Sequence, residues 1–547
     1  MVTENHYRWD FIGLSTDEKP TPATSERVVD GSTYYTSDDS KLYVFCKDQW
    51  YEKIPIGGGG GGGDEPAGDG VISAYDSEKG EITGTGFGST EGKVYMLDRD
   101  THSYVEQEVK KWTPTTITLK NPLDLEHLEG TTSIVALLDN GTYSTKFLVT
   151  GEVDVEGYGK VYIKDASTGV VRTATATTSS QITGLYQSQQ TDYSKSFTVG
   201  GDTFYADELV GIQFGEDFTS TSISQQNFLC DFVNLNQPVV LPDTLTSLAS
   251  YFMCCCYNFN QPIKFNLTTI PIGFLEFCFN FNQPFDIPST CTSIAQNFLG
   301  GCYNFNQPLT LPTGLTTIGQ YFLSDNNRRG TSFNQPLTIP NTVTTIGQSF
   351  LAGNRNFNQP IELPSSVTIV PEGFLYECYK FNSEIKLPNT ITKINGYFLY
   401  GCQSFNQPIE IPDSVTEIGD SFLSHYSATL NSCPAAFNQE ITLPSDLTKI
   451  GTGFMCCLPS FNKKITVPAS VTSIGTYFLY ADYAFSELEV NTNTAPTDNN
   501  SLSSNKNTAK TYTKGITLTG TGASAWLTAL PNRTSSPYRK LIDGTAE

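Results

Sequence analysis

The sequence predicts a mainly β protein: a short N-terminal segment, an antiparallel β-sandwich, and a long solenoid of parallel strands with short helical or 3-10 returns. Three observations carry that expectation. A tetrapeptide returns throughout the C-terminal half, apolar residues alternate with period two before it, and the composition is poor in charge. The tetrapeptide is Leu235-Asn236-Gln237-Pro238, then Phe-Asn-Gln-Pro from Phe259, Phe281, Phe305, Phe333, Phe357 and Phe405, with decayed copies at Phe381, Phe437, Phe461 and Phe485. Successive anchors lie 24, 22, 24, 28, 24, 24, 24, 32, 24 and 24 residues apart, so one unit stacks many times with occasional insertions. Such an array offers a long surface and no inherent pocket, which implies binding or support rather than catalysis.

Composition narrows the class. Hydrophobic residues make up 38% and charged residues 16% of the 547, unlike an ordinary α/β enzyme. A net charge of −23 disfavours nucleic acid and anionic membranes as partners. No apolar run reaches spanning length, so no membrane insertion is expected, and the first ten residues lack the apolar stretch of a secretory signal. Five of the thirteen cysteines, Cys256, Cys278, Cys302, Cys378 and Cys402, fall three residues before a repeat Phe. Parallel Cβ vectors on neighbouring coils make a poor disulfide torsion, so a ladder of buried thiols is expected. The adjacent Cys254-Cys255-Cys256 and Cys456-Cys457 lack zinc-site spacing and no His pair accompanies them, so neither metal nor cofactor is expected.

Along the chain, residues 1–56 hold aromatic, alternating runs, too short for a core of their own, which orders on a partner or in a homo-oligomer. Seven glycines, Gly57 to Gly63, open a flexible linker over 57–70, with no Lys-Ser/Thr to make it a phosphate loop. Residues 71–152 alternate as an antiparallel sandwich, for example Gly92-Lys93-Val94-Tyr95-Met96-Leu97 and Ser133-Ile134-Val135-Ala136-Leu137-Leu138. Ile82-Thr83-Gly84-Thr85-Gly86-Phe87-Gly88, Trp112-Thr113-Pro114-Thr115-Thr116-Ile117 and Asn140-Gly141 resemble the IPT/TIG immunoglobulin-like domain. The resemblance implies a spacer or binding module. Residues 153–208 read as a β-rich junction into the array.

Within 209–490 each anchor precedes a short strand with one outward residue between two inward ones, as in Leu309-Thr310-Leu311. Gly211-Ile212-Gln213-Phe214 is expected to supply the first such strand. An apolar pair at i, i+4 follows each turn, as in Ile318/Phe322 and Ile418/Phe422, which predicts one helical or 3-10 turn. The run Ile411-Pro412-Asp413-Ser414-Val415-Thr416-Glu417-Ile418-Gly419-Asp420-Ser421-Phe422-Leu423, with Gly401-Cys402, resembles the leucine-rich repeats of BspA-like bacterial surface proteins. That resemblance implies a leucine-rich-repeat solenoid and says little about ligand. Residues 491–547, with Gly515-Ile516-Thr517-Leu518 and Ala525-Trp526-Leu527, are expected to cap the open end of the array.

No zinc signature, nucleophile elbow or Walker loop occurs, and His6, His102, His127 and His425 are scattered, so no catalytic residue is expected. Glu362 and Glu410, two coils apart on the outward column with Lys386 between them, could form an inverting acid pair; a charge-complementary ladder explains them better. The Asn column from Asn260 to Asn462 is expected to satisfy backbone groups between coils rather than a ligand. The insertions are the expected recognition loops, with Arg328, Arg329, His425 and Tyr426 as contact residues, because the regular faces show no aromatic platform for sugars.

The opening segment, from Tyr7-Arg8-Trp9-Asp10-Phe11-Ile12 through Leu42-Tyr43-Val44 to Trp50-Tyr51-Glu52, resembles the virion-anchoring ends of phage fibre and decoration proteins. The resemblance implies a head or tail fibre synthesised in the host cytoplasm and anchored to capsid or tail proteins through Tyr7, Trp9, Phe11, Tyr43, Trp50 and Tyr51. The arm would then adhere to a glycan or protein of a bacterial or mucosal surface. The alternatives are a bacterial cell-surface adhesin and, behind it, a particle-borne polysaccharide depolymerase.

Overall fold

A computed structural model describes residues 3–4, 11–13, 33–36, 41–46, 49–53, 70–187, 195–324, 332–425, 435–482, 484–496, 501–502, 515–530 and 541–544. Two units divide the chain. One holds residues 1–245, 255–265 and 283–285, and the other holds 246–254, 266–282 and 286–547.

The first unit begins with a five-stranded sheet in the order Thr3–Glu4, Phe11–Gly13, Thr33–Thr36, Lys41–Cys46, Gln49–Lys53. Its register sets Phe11 opposite Tyr34, Tyr34 opposite Tyr43, and Phe45 opposite Trp50. Tyr7 and Trp9 lie outside the described residues.

The sandwich follows as two antiparallel four-stranded sheets. One runs Val109–Trp112, Thr116–Leu119, Glu81–Thr85, Val71–Asp76; the other runs Phe147–Thr150, Thr131–Leu137, Lys93–Asp98, Ser103–Gln107. Inward residues of both sheets, among them Ile82, Phe87, Val94, Ile117 and Ile134, close one apolar core. Gly159–Lys164 is the centre of a three-stranded sheet flanked by Val171–Thr175 and Leu209–Phe214. Leu209–Phe214 therefore does not open the array as a parallel strand. It pairs antiparallel with Gly159–Lys164, and Asn236 N–H bonds to Val210 O at 3.1 Å, so this strand joins the junction to the first coil.

In the second unit the repeat builds parallel ladders. After some anchors a strand forms and pairs with that of the next coil, as Ile361–Glu362 does with Ile385–Lys386, while after others, such as Phe305 and Phe405, the chain runs extended without a paired strand. A second ladder forms at the apolar pair: Thr269–Ile270, Ser293–Ile294, Thr317–Ile318 and Thr345–Ile346 pair in order, then Ile369–Val370, Lys393–Ile394, Glu417–Ile418, Lys449–Ile450 and Ser473–Ile474. The predicted helical return is absent here. Ile318 is a strand residue, and Phe322 sits between Tyr321 (φ 57°) and Leu323 (φ 50°), both left-handed.

That turn is held from outside. Tyr321 N–H bonds forward to Gln348 O at 2.9 Å, and Leu323 N–H bonds back to Phe298 O at 3.0 Å. Each left-handed residue costs about 1–2 kcal/mol locally, and its hydrogen bond to a neighbouring coil, with burial of Leu323 and Phe322, offsets that cost. A helical turn would spend the same N–H groups within the coil and leave adjacent coils unconnected here.

Two phenylalanine columns fill the interior. Phe274, Phe298, Phe322, Phe350, Phe374, Phe398, Phe422, Phe454 and Phe478 stack with centroids 5.3 to 6.2 Å apart, inside the favourable range for aromatic pairs. The anchor residues from Phe281 to Phe485 form the second column at 5.6 to 6.2 Å. Between them the column thiols donate to carbonyls of the preceding coil, as Cys302 Sγ to Leu275 O at 3.0 Å and Cys402 Sγ to Leu375 O at 3.2 Å. Burial pushes both thiols far above their usual range, so they remain protonated donors. The Ile-Gly step has a steric cause. A Cβ on Gly451 would meet the Gly419 carbonyl carbon at 2.4 Å.

The tail extends the strand ladder. Ile465–Val467, Glu487–Val490, Ile516–Thr519 and Leu541–Asp543 pair in parallel order. The helix Ala523–Ala529 then buries Trp526 edge-on against Phe478 at 6.1 Å, and its indole N–H bonds to Thr492 O at 3.1 Å.

Candidate functional site

The strand faces are regular and saturated. Lys264 in the first unit, and Asp286, Thr310, Thr338, Glu362, Lys386, Glu410 and Thr442 in the second, are exposed, as the outward register requires. Glu362 stands beside Lys386 in register, and Lys386 Nζ is 3.7 Å from Glu384. This is a ladder of opposite charges on an open face. Among the described residues no cluster of His, Cys, Asp and Glu could hold a metal ion. In the first unit a half-open cavity of about 280 Å³ is lined by Thr131, Asp154, Gln213, Phe214 and Glu216 among others, with no histidine, cysteine or lysine.

The Asn column is internal bonding, as its periodicity predicts. The Asn306 backbone N–H bonds to the Asn282 side-chain oxygen at 2.9 Å, Asn334 to Asn306 at 2.7 Å, and Asn358 to Asn334 at 2.7 Å, with Asn382, Asn406, Asn438 and Asn462 repeating the contact. The following Gln completes it: Gln335 and Gln359 donate to the main-chain oxygens of Asn306 and Asn334 at 3.0 and 3.1 Å. The asparagine oxygen and the glutamine nitrogen are thereby committed to bonds between coils.

Of the expected recognition residues, Arg328, Arg329 and Tyr426 lie outside the described residues. His425 is not an exposed contact group. It is 6% exposed, its N–H continues the coil-to-coil ladder to Cys456 O at 2.9 Å, and burial lowers its pKa to about 4, so the ring is neutral at ordinary pH. The coil thus extends through His425, and the residues added to it begin after that position. The turns at Ser324 and Ser424 are equivalent, with Gly301 N–H and Gly401 N–H bonding to their carbonyls at 3.0 Å.

This same turn face carries what the periodicity alone did not reveal. Contrary to the expectation from sequence, it bears an aromatic platform. Tyr376 and Tyr400 stack at 5.0 Å and 8°, and Tyr397 packs edge-on against them at 6.0 Å and 5.6 Å, itself 39% exposed. Next to them the Tyr379 hydroxyl donates to Glu377 Oε2 at 3.2 Å, and the Arg355 guanidinium lies 5.1 Å over the Tyr379 ring. Glu377 N–H bonds to Tyr400 O at 2.7 Å, which ties the two coils at this turn, and a Cβ on Gly401 would meet Glu377 Cγ at 3.1 Å. Partial burial and the neighbouring Tyr376 and Glu377 push the Tyr400 phenol well above its usual range, so it stays a hydrogen-bond donor. The signal in the sequence is the 24-residue step from Tyr376 to Tyr400; its aromatic character is visible only when the left-handed turn sets Tyr397 against both.

Comparison with known proteins returns one family model, the BspA type leucine rich repeat region in six copies, over residues 197–329, 330–438 and 431–525. Solved structures with this likeness include a leucine-rich repeat protein from Bacteroides ovatus ATCC 8483, 20% identical over 56% of this chain and 69% of that one, with a TM-score of 0.40. A leucine rich cell surface protein from Faecalibacterium prausnitzii A2-165 is 17% identical over 54% of this chain and 86% of that one, with a TM-score of 0.30. A leucine-rich repeat protein from Eubacterium ventriosum ATCC 27560 is 14% identical over 48% and 68%, with a TM-score of 0.24. No curated protein matches. The family model spans more than half of the chain, and its repeats are the stacked coils described above: the protein belongs to the BspA-type leucine-rich repeat family.

Proposed function

We propose that this protein is a non-enzymatic adhesin that presents its leucine-rich-repeat array to a glycan or protein on a bacterial or mucosal surface. The observation that supports it is the array itself: surface-type repeats over more than half of the chain, with saturated ladders inside and a side-chain-rich turn face outside. The reading is tested by adsorption of the purified chain to intact gut bacteria and to mucin, against an unrelated solenoid of similar charge. Adsorption equal to that control would remove it.

The family favours carriage on a cell surface, and the adhesin of a bacterial envelope is the leading reading. The virion reading keeps one observation of its own: residues 1–56 contain a small five-stranded sheet before the glycine linker and resemble virion-anchoring segments. On that reading Tyr7, Trp9, Phe11, Tyr43, Trp50 and Tyr51 contact capsid or tail proteins, and the sandwich is an IPT/TIG spacer. Labelling with an antibody against the array decides between them, since it marks either the cell envelope or phage particles.

A further inference from the structure

We infer that Tyr376, Tyr397 and Tyr400, with Glu377 and Tyr379, form a binding strip for a neutral polysaccharide chain. The inference rests on the adhesive reading and names its ligand class and place. Three features of the strip favour a sugar. First, its aromatic groups are all tyrosines: Tyr376 and Tyr400 cover each other's facing sides and present ring edges and hydroxyls, while Tyr397, 39% exposed, offers its ring to the C–H side of a pyranose. Second, the rings step along the array at the coil spacing of about 4.8 Å, close to the length of one pyranose unit, so successive sugars meet successive coils. Third, the equivalent positions on the neighbouring coils hold small residues, Ala352 before Tyr376 and Ser424 after Tyr400, so the column ends in small side chains at both sides.

Charge selects within that class. Glu377 lies at the centre of the strip, and the nearest cation, Arg355, is already set over Tyr379. A chain of net charge −23 adds a repulsive field against uronic or sialic acids. Glu377 accepts hydrogen bonds from sugar hydroxyls, and the Tyr400 phenol donates to sugar oxygens, so an uncharged chain satisfies both groups, whereas a carboxylated one brings a like charge toward Glu377.

The array supplies its own safe substitutions. Tyr376→Ala places the residue of Ala352 in that column, Tyr400→Ser that of Ser424, and Tyr397→Ser that of Ser349 and Ser421. The full chain is titrated calorimetrically with cellohexaose, mannohexaose and chitohexaose, and with sialyllactose as the acidic probe. The expected result is that at least one neutral hexasaccharide binds and sialyllactose does not. Tyr376→Ala/Tyr400→Ser should weaken that binding by about tenfold or more, and Tyr400→Phe by less, because it loses one hydroxyl and keeps the stacked pair against which Tyr397 packs. Should the double variant fail to fold, Tyr397→Ser, an edge ring already 39% exposed, carries the same comparison. Silence of all three neutral probes, equal binding by the double variant, or preference for sialyllactose each overturns the strip. Cell adsorption of the same proteins is read in parallel. Adsorption undiminished in the double variant overturns the strip and leaves adhesion standing, while a wild type that binds hexasaccharide but no cell overturns adhesion and leaves the strip.

Discussion

The glutamines of the repeat do two different jobs in the two units. In the first, Gln237, Gln261 and Gln283 are turned toward the sandwich: Gln237 Nε2 donates to Arg99 O at 3.0 Å, Gln261 meets Ser133 and the Tyr104 hydroxyl at 3.0 and 3.1 Å, and Gln283 Oε1 accepts Lys146 N–H at 2.8 Å. In the second, Gln335, Gln359 and Gln439 donate to the preceding asparagine. The column is the same and the partners differ, with Gln283 serving both, since its Nε2 also donates to Asn260 Oδ1 at 2.8 Å. A solenoid's first coil exposes core and open ladder groups, and here those groups are satisfied by a different domain instead of by another coil. The sandwich adds buried cations to that joint: Arg99 reaches Thr131 O at 2.6 Å and Ile212 O at 3.1 Å, and Lys146 Nζ reaches Asn260 O at 2.8 Å.

The difference teaches that periodic bonding is redundant and the joint is not. Loss of one rung leaves neighbouring rungs intact, whereas each contact at the joint occurs once. The core of the array is the exception, because a stacked ring has neighbours on both sides. Phe322→Ala removes a fully buried ring between Phe298 and Phe350 and should cost roughly 3–5 kcal/mol. Hydrogen exchange should report that loss in the adjacent coils. Uniform loss across both units would show that the array and the joint unfold as one.

A matched pair isolates the glutamine column. Gln261→Leu removes the partner shared by the Ser133 and Tyr104 hydroxyls, leaving them only each other, and should cost about 1–3 kcal/mol, while Gln359→Leu, at a half-buried rung with Asn334 still engaged by Asn358, should cost under about 1 kcal/mol. Denaturant midpoints of the two variants are the measurement. Equal costs would remove the distinction between joint and rung.

How much of this was legible in the sequence follows from what sets each feature. Tetrapeptide period and two-residue alternation fixed the Phe, Cys and Asn columns and the outward residues, because those depend on register alone. The return was misread because an i, i+4 pair such as Ile318/Phe322 fits a helical turn equally well; what decides is hydrogen bonding to other coils, which lets Tyr321 and Leu323 take positive φ without being glycine. The tyrosine platform was hidden for the same reason, since it exists only on that turn. The antiparallel pairing of Leu209–Phe214 depends on Gly159–Lys164, far away in sequence.

The joint also has a pH signature that the rungs lack. Burial of Lys146 without a carboxylate lowers its pKa to about 7, against about 10.4 in an unfolded chain. Between those values the unfolded chain binds the proton that the folded one has released, so this residue's destabilising contribution is full below about pH 7 and fades as pH rises toward 10. Buried thiols and phenols act in the opposite sense at the alkaline end, because their folded pKa values are raised. Lys146→Met separates the two: the variant's stability advantage over wild type should be largest near pH 6.5 and shrink as pH goes to 9, because wild type regains the cost of burying the charged lysine. A difference that stays flat over that range would mean that Lys146 is solvated in the folded protein.

The smallest effect is expected at the outward strand column. Thr310 is exposed between buried Leu309 and Leu311, and its side chain enters neither the Asn ladder nor the stacked rings. Thr310→Ala should therefore stay within about 0.5 kcal/mol of wild type, although it replaces a β-branched residue by one less suited to a strand. The comparison with Phe322→Ala fixes the register, since a one-residue slip would exchange inward and outward positions along the whole strand. Thermal melting of the two variants side by side is sufficient: a Thr310→Ala loss approaching that of Phe322→Ala would place Thr310 inside the coil and refute the alternation on which every surface assignment here depends.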